Sequence, residues 1–263
     1  MRQRLITGIL AGIFFLAMVL WGGLAYHLLI LVMALIGFYE FARMTQVSPF
    51  GGTAILGYVS ILAFVFPYQP LGLHSPLPFA SLLWLVMIVF MMITVGTKNK
   101  IPIQTVAILF LGTVYIGFGF SYIAESRHME HGLLWTFLLL SCIWASDAGA
   151  YFVGKMAGKT KLWPAISPNK TVEGSIGGVV LALVIALVFA GLSGGLLPWG
   201  KAFGIGLSCA VVGQLGDLVQ SAYKRVYGIK DSGNLLPGHG GILDRCDSWI
   251  VVFPFVHMLM LLP

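Results

Sequence analysis

Six of the nine acidic residues in this chain lie in its second half, where two groups have spacings that set carboxylates beside cations. Asp217, Ser221 and Lys224 follow one another at i, i+4 and i+7, so they stack on one face of a helix. Asp244 and Asp247 stand at i, i+3 just before the last apolar run and also share a face. Between the two groups, Gly228, Ser232-Gly233-Asn234 and Pro237-Gly238-His239-Gly240-Gly241 break helices and expose backbone with little side-chain bulk. Lys224, Arg225, Lys230 and Arg245 are interspersed. Three carboxylates gathered from two helix ends repel one another unless a cation holds them. Hard oxygen donors without thiolates or several histidines select metals of the Mg²⁺ type over zinc. A carboxylate-held cation beside Lys and Arg is equipment for phosphoryl chemistry. Salt bridges between helix ends would explain any single pair, but they explain the glycine-rich turn poorly.

A second polar stretch runs from Asp147 to Gly178. Asp147 lies late in an apolar run, and an ionisable group there costs about 2.5–3.5 kcal/mol at mid-membrane unless paired or hydrated. Pairing with a nearby Lys is the structural alternative. Gly154, Lys155, Gly158 and Lys159 follow, then Ser167, Asn169, Lys170, Thr171 and Glu173. Glycines let backbone N–H groups approach an anion, Lys supplies charge, and Ser and Thr supply donors. A helix opening near Ser175 adds an N-terminus that favours anions. No GxxxxGK[ST] occurs, and a basic cytoplasmic loop would hold such lysines in any case.

The elements that must position these residues are membrane spans. Hydrophobic residues make up 59% of 263, charged residues 9%, and the mean hydropathy is +0.95. A soluble domain carries about 25% charge. Apolar runs long enough for a bilayer core fall near 5–21, 24–41, 52–68, 79–97, 102–124, 132–153, 175–197, 200–223 and 248–262. The expected fold is all-α, a polytopic integral membrane protein of about nine transmembrane helices in a single domain over 1–263. Within it, 1–140 is mainly scaffold and 141–263 is the active-site half. With a cytoplasmic N-terminus, 13 of the 15 basic residues fall on one side, leaving Arg127 and Lys201 on the other. The positive-inside rule therefore puts the N-terminus in the cytoplasm.

Cys142, Cys209 and Cys246 are too few and too scattered for a disulfide framework or a thiolate metal site. His27, His74 and His257 are expected to be packed or interfacial. Glu40, Glu125 and Glu130, near span ends, are expected to be interfacial carboxylates. Gly8, Gly12, Gly177, Gly178 and Gly213 suit close helix contact, within the chain or between two copies.

Residues 221–247 resemble the signature of the membrane phosphatidate cytidylyltransferases. The resemblance rests on Ser221, Lys224-Arg225, Lys230-Asp231, Gly233, Leu236-Pro237, His239-Gly240-Gly241, Asp244-Arg245 and Asp247. Tyr223 and Cys246 depart from the usual aliphatic residue or Phe without removing a polar group. Asp217, the Asp147 segment and Ser167–Gly174 are similar to other parts of that family, as is Arg4-Leu5-Ile6-Thr7-Gly8 at the start.

The resemblance implies a bacterial-type enzyme of the inner membrane, with its site on the cytoplasmic side and CTP, phosphatidate and membrane lipids as partners. No nucleic acid is expected, and a homodimer is left open. It implies that a phosphatidate oxygen attacks the α-phosphorus of CTP with Mg²⁺, as one or two divalent cations, held by Asp217, Asp244 and Asp247. Lys224, Arg225 and Arg245 would hold phosphates, helped by Lys170 and Lys230, and Ser221 would bond a phosphate or orient a ligand. Asp147, Ser167, Asn169, Lys170, Thr171, Glu173, Lys230, His239, Gly240 and Gly241 are the expected substrate-binding set. His239 could touch pyrophosphate or merely cap the turn. A CDP-alcohol phosphotransferase would carry a DGxxAR pattern, which is absent. A secondary transporter would also use intramembrane Asp147 and Asp217 with glycine-broken helices, at a midplane site. An inactive scaffold relative is opposed by the intact polar set.

Overall fold

The computed structural model describes residues 2–235, 238 and 240–263, with side chains from Thr7 onward; His239, Leu236 and Pro237 lie outside the described residues. Among the described residues the chain is α-helical apart from one small sheet. The helices are α1 (Arg2–Trp21), α2 (Gly23–Met44), α3 (Gly52–Phe64), α4 (Phe79–Gly96), α5 (Ile103–His128) and α6 (Gly132–Ala157). Strands β1 (Lys161–Trp163) and β2 (Ser167–Thr171) precede α7 (Val172–Leu192), α8 (Trp199–Val226), the single turn α9 (Leu243–Cys246) and α10 (Trp249–Met258). In lipid a backbone must satisfy its own N–H and C=O groups, so apolar runs become helices.

Six of these helices are long and apolar enough to cross a membrane: α2, α4, α5, α6, α7 and α8. Three shorter apolar helices, Thr7–Trp21, Gly52–Phe64 and Trp249–Met258, accompany them. This is an α-helical polytopic membrane protein. Each apolar run expected from the sequence overlaps one of these nine segments, but the segments in the runs at 5–21, 52–68 and 248–262 are shorter than the six. The break between the first two is Gly22, whose φ of +70° suits glycine and whose missing Cβ leaves room for the Arg127 guanidinium.

The chain packs as two compact units. The first comprises Met1–His128 and Asp231–Arg245. Here α2 and α3 lie against α5, and large aromatic rings occupy the space left by glycines. The Phe38 ring fills the site beside Gly57, Phe41 that beside Gly112, and Phe64 that beside Gly117. Polar ties run between helices: Tyr26 Oη donates to Ile123 O at 3.2 Å, and Arg127 Nε to Val19 O at 2.8 Å. His27 is buried and paired, its Nδ1 3.0 Å from His128 Nε2 and its Nε2 3.0 Å from Val65 O.

The second unit comprises Met129–Lys230 and Cys246–Pro263. Its core is α7, held between α6 and α8. The buried residues of α7 are Gly174, Gly178, Ala182, Ala186 and Ala190, a stripe of small residues at intervals of four. Lipid tails are as apolar as Leu, so helix association in a membrane depends on close packing, which small residues permit. A Cβ at Gly178 would stand 2.7 Å from Ser146 O, and one at Gly149 2.7 Å from Gly177 O. On the other flank, Gly206 of α8 meets Ala186 and the Ala182 carbonyl. Gly177, Gly178 and Gly213 thus serve contacts within the chain, whereas a Cβ at Gly12 would meet nothing within 4 Å.

Candidate active site

The polar residues of the second unit gather at one end of the α6, α7 and α8 packing, and a buried polar knot prepares the way. Ser175 Oγ donates to Gln214 Oε1 at 2.5 Å, while Gln214 Nε2 reaches Ser175 O at 3.3 Å and Ser146 Oγ at 3.4 Å. This links the three helices one turn before Asp217. Asp217 then binds on both sides: its Oδ2 pairs with Lys170 Nζ at 2.6 Å, and its Oδ1 accepts from Ser221 Oγ at 3.2 Å. The expected i, i+4 relation of Asp217 and Ser221 is thereby a direct hydrogen bond. Lys170 is delivered by β2, whose register pairs Thr171 with Lys161 and Ser167 with Trp163.

Asp147 of α6 is close enough to Asp217 and Lys170 to interact with both charges. Asp247 approaches the same group from the start of α10. A Cβ at Gly216 would stand 2.6 Å from Asp247 O, so this glycine lets α10 close against α8. Ser248 fixes the approach: its Oγ donates to Gly213 O at 3.0 Å and its backbone N–H to Asp247 Oδ1 at 2.8 Å. Burial pushes the Asp247 carboxyl up to about 7, and the neighbouring Asp217 and Asp147 charges add to this. The Ser248 N–H and Lys224 pull in the opposite direction. Three carboxylates in mutual reach, with Lys170 and Lys224 among them, make a site whose excess negative charge a cation would relieve.

Among the described residues, no group of three or more His, Cys, Asp or Glu side chains converges tightly enough to hold a metal ion alone. The donor set still fits Mg²⁺, which is usually bound by one or two carboxylates together with water and substrate phosphates.

The remaining expected residues are placed as follows. Lys224 is half-buried on the last turn of α8, and Lys230 is exposed beyond it. Arg225 Nε donates to Ile166 O at 3.2 Å, tying the end of α8 to the β1–β2 turn. Ser167 and Asn169 lie on β2. Thr171 and Glu173 have local work: Thr171 Oγ1 caps α7 by accepting from Gly174 N at 3.1 Å. Glu173 accepts from the backbone of Lys159 and Thr160, each at 3.1 Å. The segment read from the sequence as a basic loop is therefore a hairpin fastened to α7. Gly154 and Gly158 pack against Thr171, with no room for a side chain at Gly158.

Asp244, Gly240 and Gly241 belong to the first unit. Asp244 Oδ2 accepts from Ser232 N at 2.8 Å, Ser232 Oγ at 3.0 Å and Gly241 N at 2.9 Å. Gly240 turns at φ +82° against that carboxylate. Arg245 follows, exposed, on the turn α9.

Two residues escaped the sequence reading. Glu40, expected at an interface, is 3% exposed and bonded to the 232–243 segment. The available signal was a lone carboxylate within the apolar run of α2. Gln220, three residues after Asp217, is fully buried with neither amide atom hydrogen-bonded to protein. A buried amide left so is costly.

The comparisons with known proteins agree with this chemistry. The family model described as the cytidylyltransferase family matches residues 2–262. A phosphatidate cytidylyltransferase of Bacillus subtilis strain 168 is 42% identical over 267 residues, covering 100% of this chain and 98% of the relative. That of Staphylococcus aureus strain COL is 37% identical over 262 residues, covering 99% of each. That of Staphylococcus haemolyticus strain JCSC1435 is 36% identical, also covering 99% of each. These matches bear out the resemblance of residues 221–247 and extend it to the ends of the chain, which therefore belongs to the cytidylyltransferase family.

Proposed function

We propose that this chain converts CTP and phosphatidate to CDP-diacylglycerol and pyrophosphate. A phosphatidate oxygen forms a bond to the α-phosphorus of CTP as the bond from that phosphorus to the bridging oxygen breaks, and the departing oxygen leaves as pyrophosphate. The attacking phosphate is already anionic near neutral pH, so no strong general base is needed. The obstacle is bringing two polyanions together and holding them in line.

The single observation that carries the reading is the cluster in the second unit. There Asp217 is held by Lys170 and Ser221, with Asp147, Asp247 and Lys224 within electrostatic reach. Asp217 and Asp247 would hold one or two divalent cations such as Mg²⁺, with phosphate oxygens completing the shell. Bound there, the cation neutralises charge on the transferring oxygens. Lys170 and Lys224 draw phosphates toward the cluster, and Arg225 and Arg245 add planar donors suited to phosphate. Ser221 orients Asp217. No base is placed to make it a nucleophile. Asp244 orders the turn that carries Arg245.

The nine apolar segments would make nine crossings, with the N-terminus and the charged cluster on the cytoplasmic side of the plasma membrane. The transporter alternative loses ground because the full-length likeness is to enzymes. Purified protein in detergent, given phosphatidate and [α-³²P]CTP, is expected to form labelled CDP-diacylglycerol only when a divalent cation is supplied. Folded protein that labels no lipid across several cations and acyl chains would sink the assignment.

A further inference from the structure

Glu40 is chemically out of place. It lies in α2, one turn from the helix end at Met44 and within a run otherwise apolar from Leu28 to Phe41 apart from Tyr39, yet both of its oxygens are engaged. Oε1 accepts from Ile242 N at 3.0 Å, and Oε2 accepts from Leu243 N at 3.0 Å and Ser232 Oγ at 3.1 Å. The backbones of Gly233 and Gly241 press against the carboxylate so closely that a Cβ on either would collide with it. One side chain thus grips the 232–243 segment at both ends, across a separation of about 200 residues in sequence.

The grip continues into Asp244. The Ser232 hydroxyl has a single hydrogen, and it lies within bonding distance of Glu40 Oε2 and of Asp244 Oδ2, at 3.1 and 3.0 Å. An interfacial carboxylate would be hydrated. This one replaces water with two backbone amides and a hydroxyl of the segment that carries Asp244 and Arg245.

We infer that Glu40 is a positioning residue for the cytidylyl transfer. It sets the 232–245 segment in the conformation from which Asp244 and Arg245 act, without touching substrate itself. The inference rests on the reaction proposed above. A backbone error of about 1 Å can cost on the order of 10²-fold in rate, so the effect falls on turnover rather than on folding.

The test uses the full-length protein in detergent. It compares wild type with Glu40→Gln and Glu40→Asp by kcat, by KM for CTP, by thermal midpoint and by amide exchange at Ile242 and Leu243. Glu40→Gln presents an NH₂ group to one of the donating N–H groups. It is expected to lower kcat by about 10–100-fold, with KM for CTP within about threefold. Exchange at the two amides should quicken while the thermal midpoint stays near wild type. Glu40→Asp keeps the charge but is shorter, and should fall between. Wild-type kcat in Glu40→Gln, or unchanged exchange at both amides, overturns the inference. So does a kcat loss that merely follows a fall in the midpoint. Should Glu40→Gln fail to fold, Gly233→Ala displaces the same carboxylate with every charge retained. The same loss of kcat there supports the inference, and wild-type kcat refutes it. If the wild-type protein labels no lipid, the reaction assigned above fails, and the exchange at Ile242 and Leu243 still decides whether Glu40 sets the segment.

Discussion

The two units use carboxylates in opposite ways. In the first, Glu40 and Asp244 share the Ser232 hydroxyl and each accepts from two backbone N–H groups, so they shape a segment. In the second, Asp217, Asp147 and Asp247 stand near one another and near lysines, with few neutral donors to satisfy them. We read the first pair as architecture, held by several backbone donors, and propose that the second cluster takes a cation, because added positive charge relieves like-charge repulsion. Type and spacing alone make Asp244 and Asp247 look like twins, yet their surroundings give them different work.

The sharpest way to break this comparison is Asp217→Asn. Activity should fall by at least about 10²–10³-fold, measured as label transfer from CTP to lipid, with the protein still folded. Near-normal activity would remove Asp217 from the mechanism. Next in size is Lys170→Met, which deletes the partner at 2.6 Å from Asp217. A loss of about 10²-fold is expected, largely restored by Lys170→Arg if charge is what counts. Equal losses in both would mean that a point charge on a flexible stem is required.

A smaller effect concerns pH. The Asp247 carboxyl, raised by burial from 3.8 to about 7, keeps a proton in the folded chain that the unfolded chain has lost. Without metal, its contribution to stability therefore falls as pH rises from about 4 to 7 and levels off above. A bound divalent cation favours the ionised form and reverses the preference. The rise in thermal midpoint on adding Mg²⁺ should accordingly be larger at pH 8 than at pH 6, and Asp247→Asn should abolish the difference. An equal rise at both pH values would separate Asp247 from the cation. The smallest effect expected is from Thr171→Ala, which removes the α7 cap at a cost of about 1 kcal/mol. Its readout is the thermal midpoint; a fall in kcat beyond that loss of stability would return Thr171 to the substrate-binding set expected from the sequence.

Much of the fold was legible because lipid imposes simple rules. Each apolar run had to become a helix, and Gly22 at the first break was visible as Trp21-Gly22-Gly23. The stripe Gly174, Gly178, Ala182, Ala186 and Ala190 was also readable at its interval of four, though only Gly178 and its neighbour Gly177 suggested contact. The hairpin at 161–171 was not legible. Its strands are short and polar, and their pairing is fixed by Glu173 and Thr171 closing onto neighbouring backbone. In the site, the relation of Asp217 to Ser221 was legible because helix periodicity is local. The Lys170–Asp217 pair joins residues 47 apart through a strand register, which no local pattern encodes.

By itself the sequence determined that this is a helical membrane protein with its polar signature gathered in its second half. Composition answers to the solvent, and the polar signature is contiguous in the chain. The tertiary structure alone decided which carboxylate does what. Burial, the identity of neighbouring donors and the nearness of like charge depend on residues far apart in sequence, so Glu40 became an anchor for the 232–243 segment and Asp147 a neighbour of Asp217 only on folding.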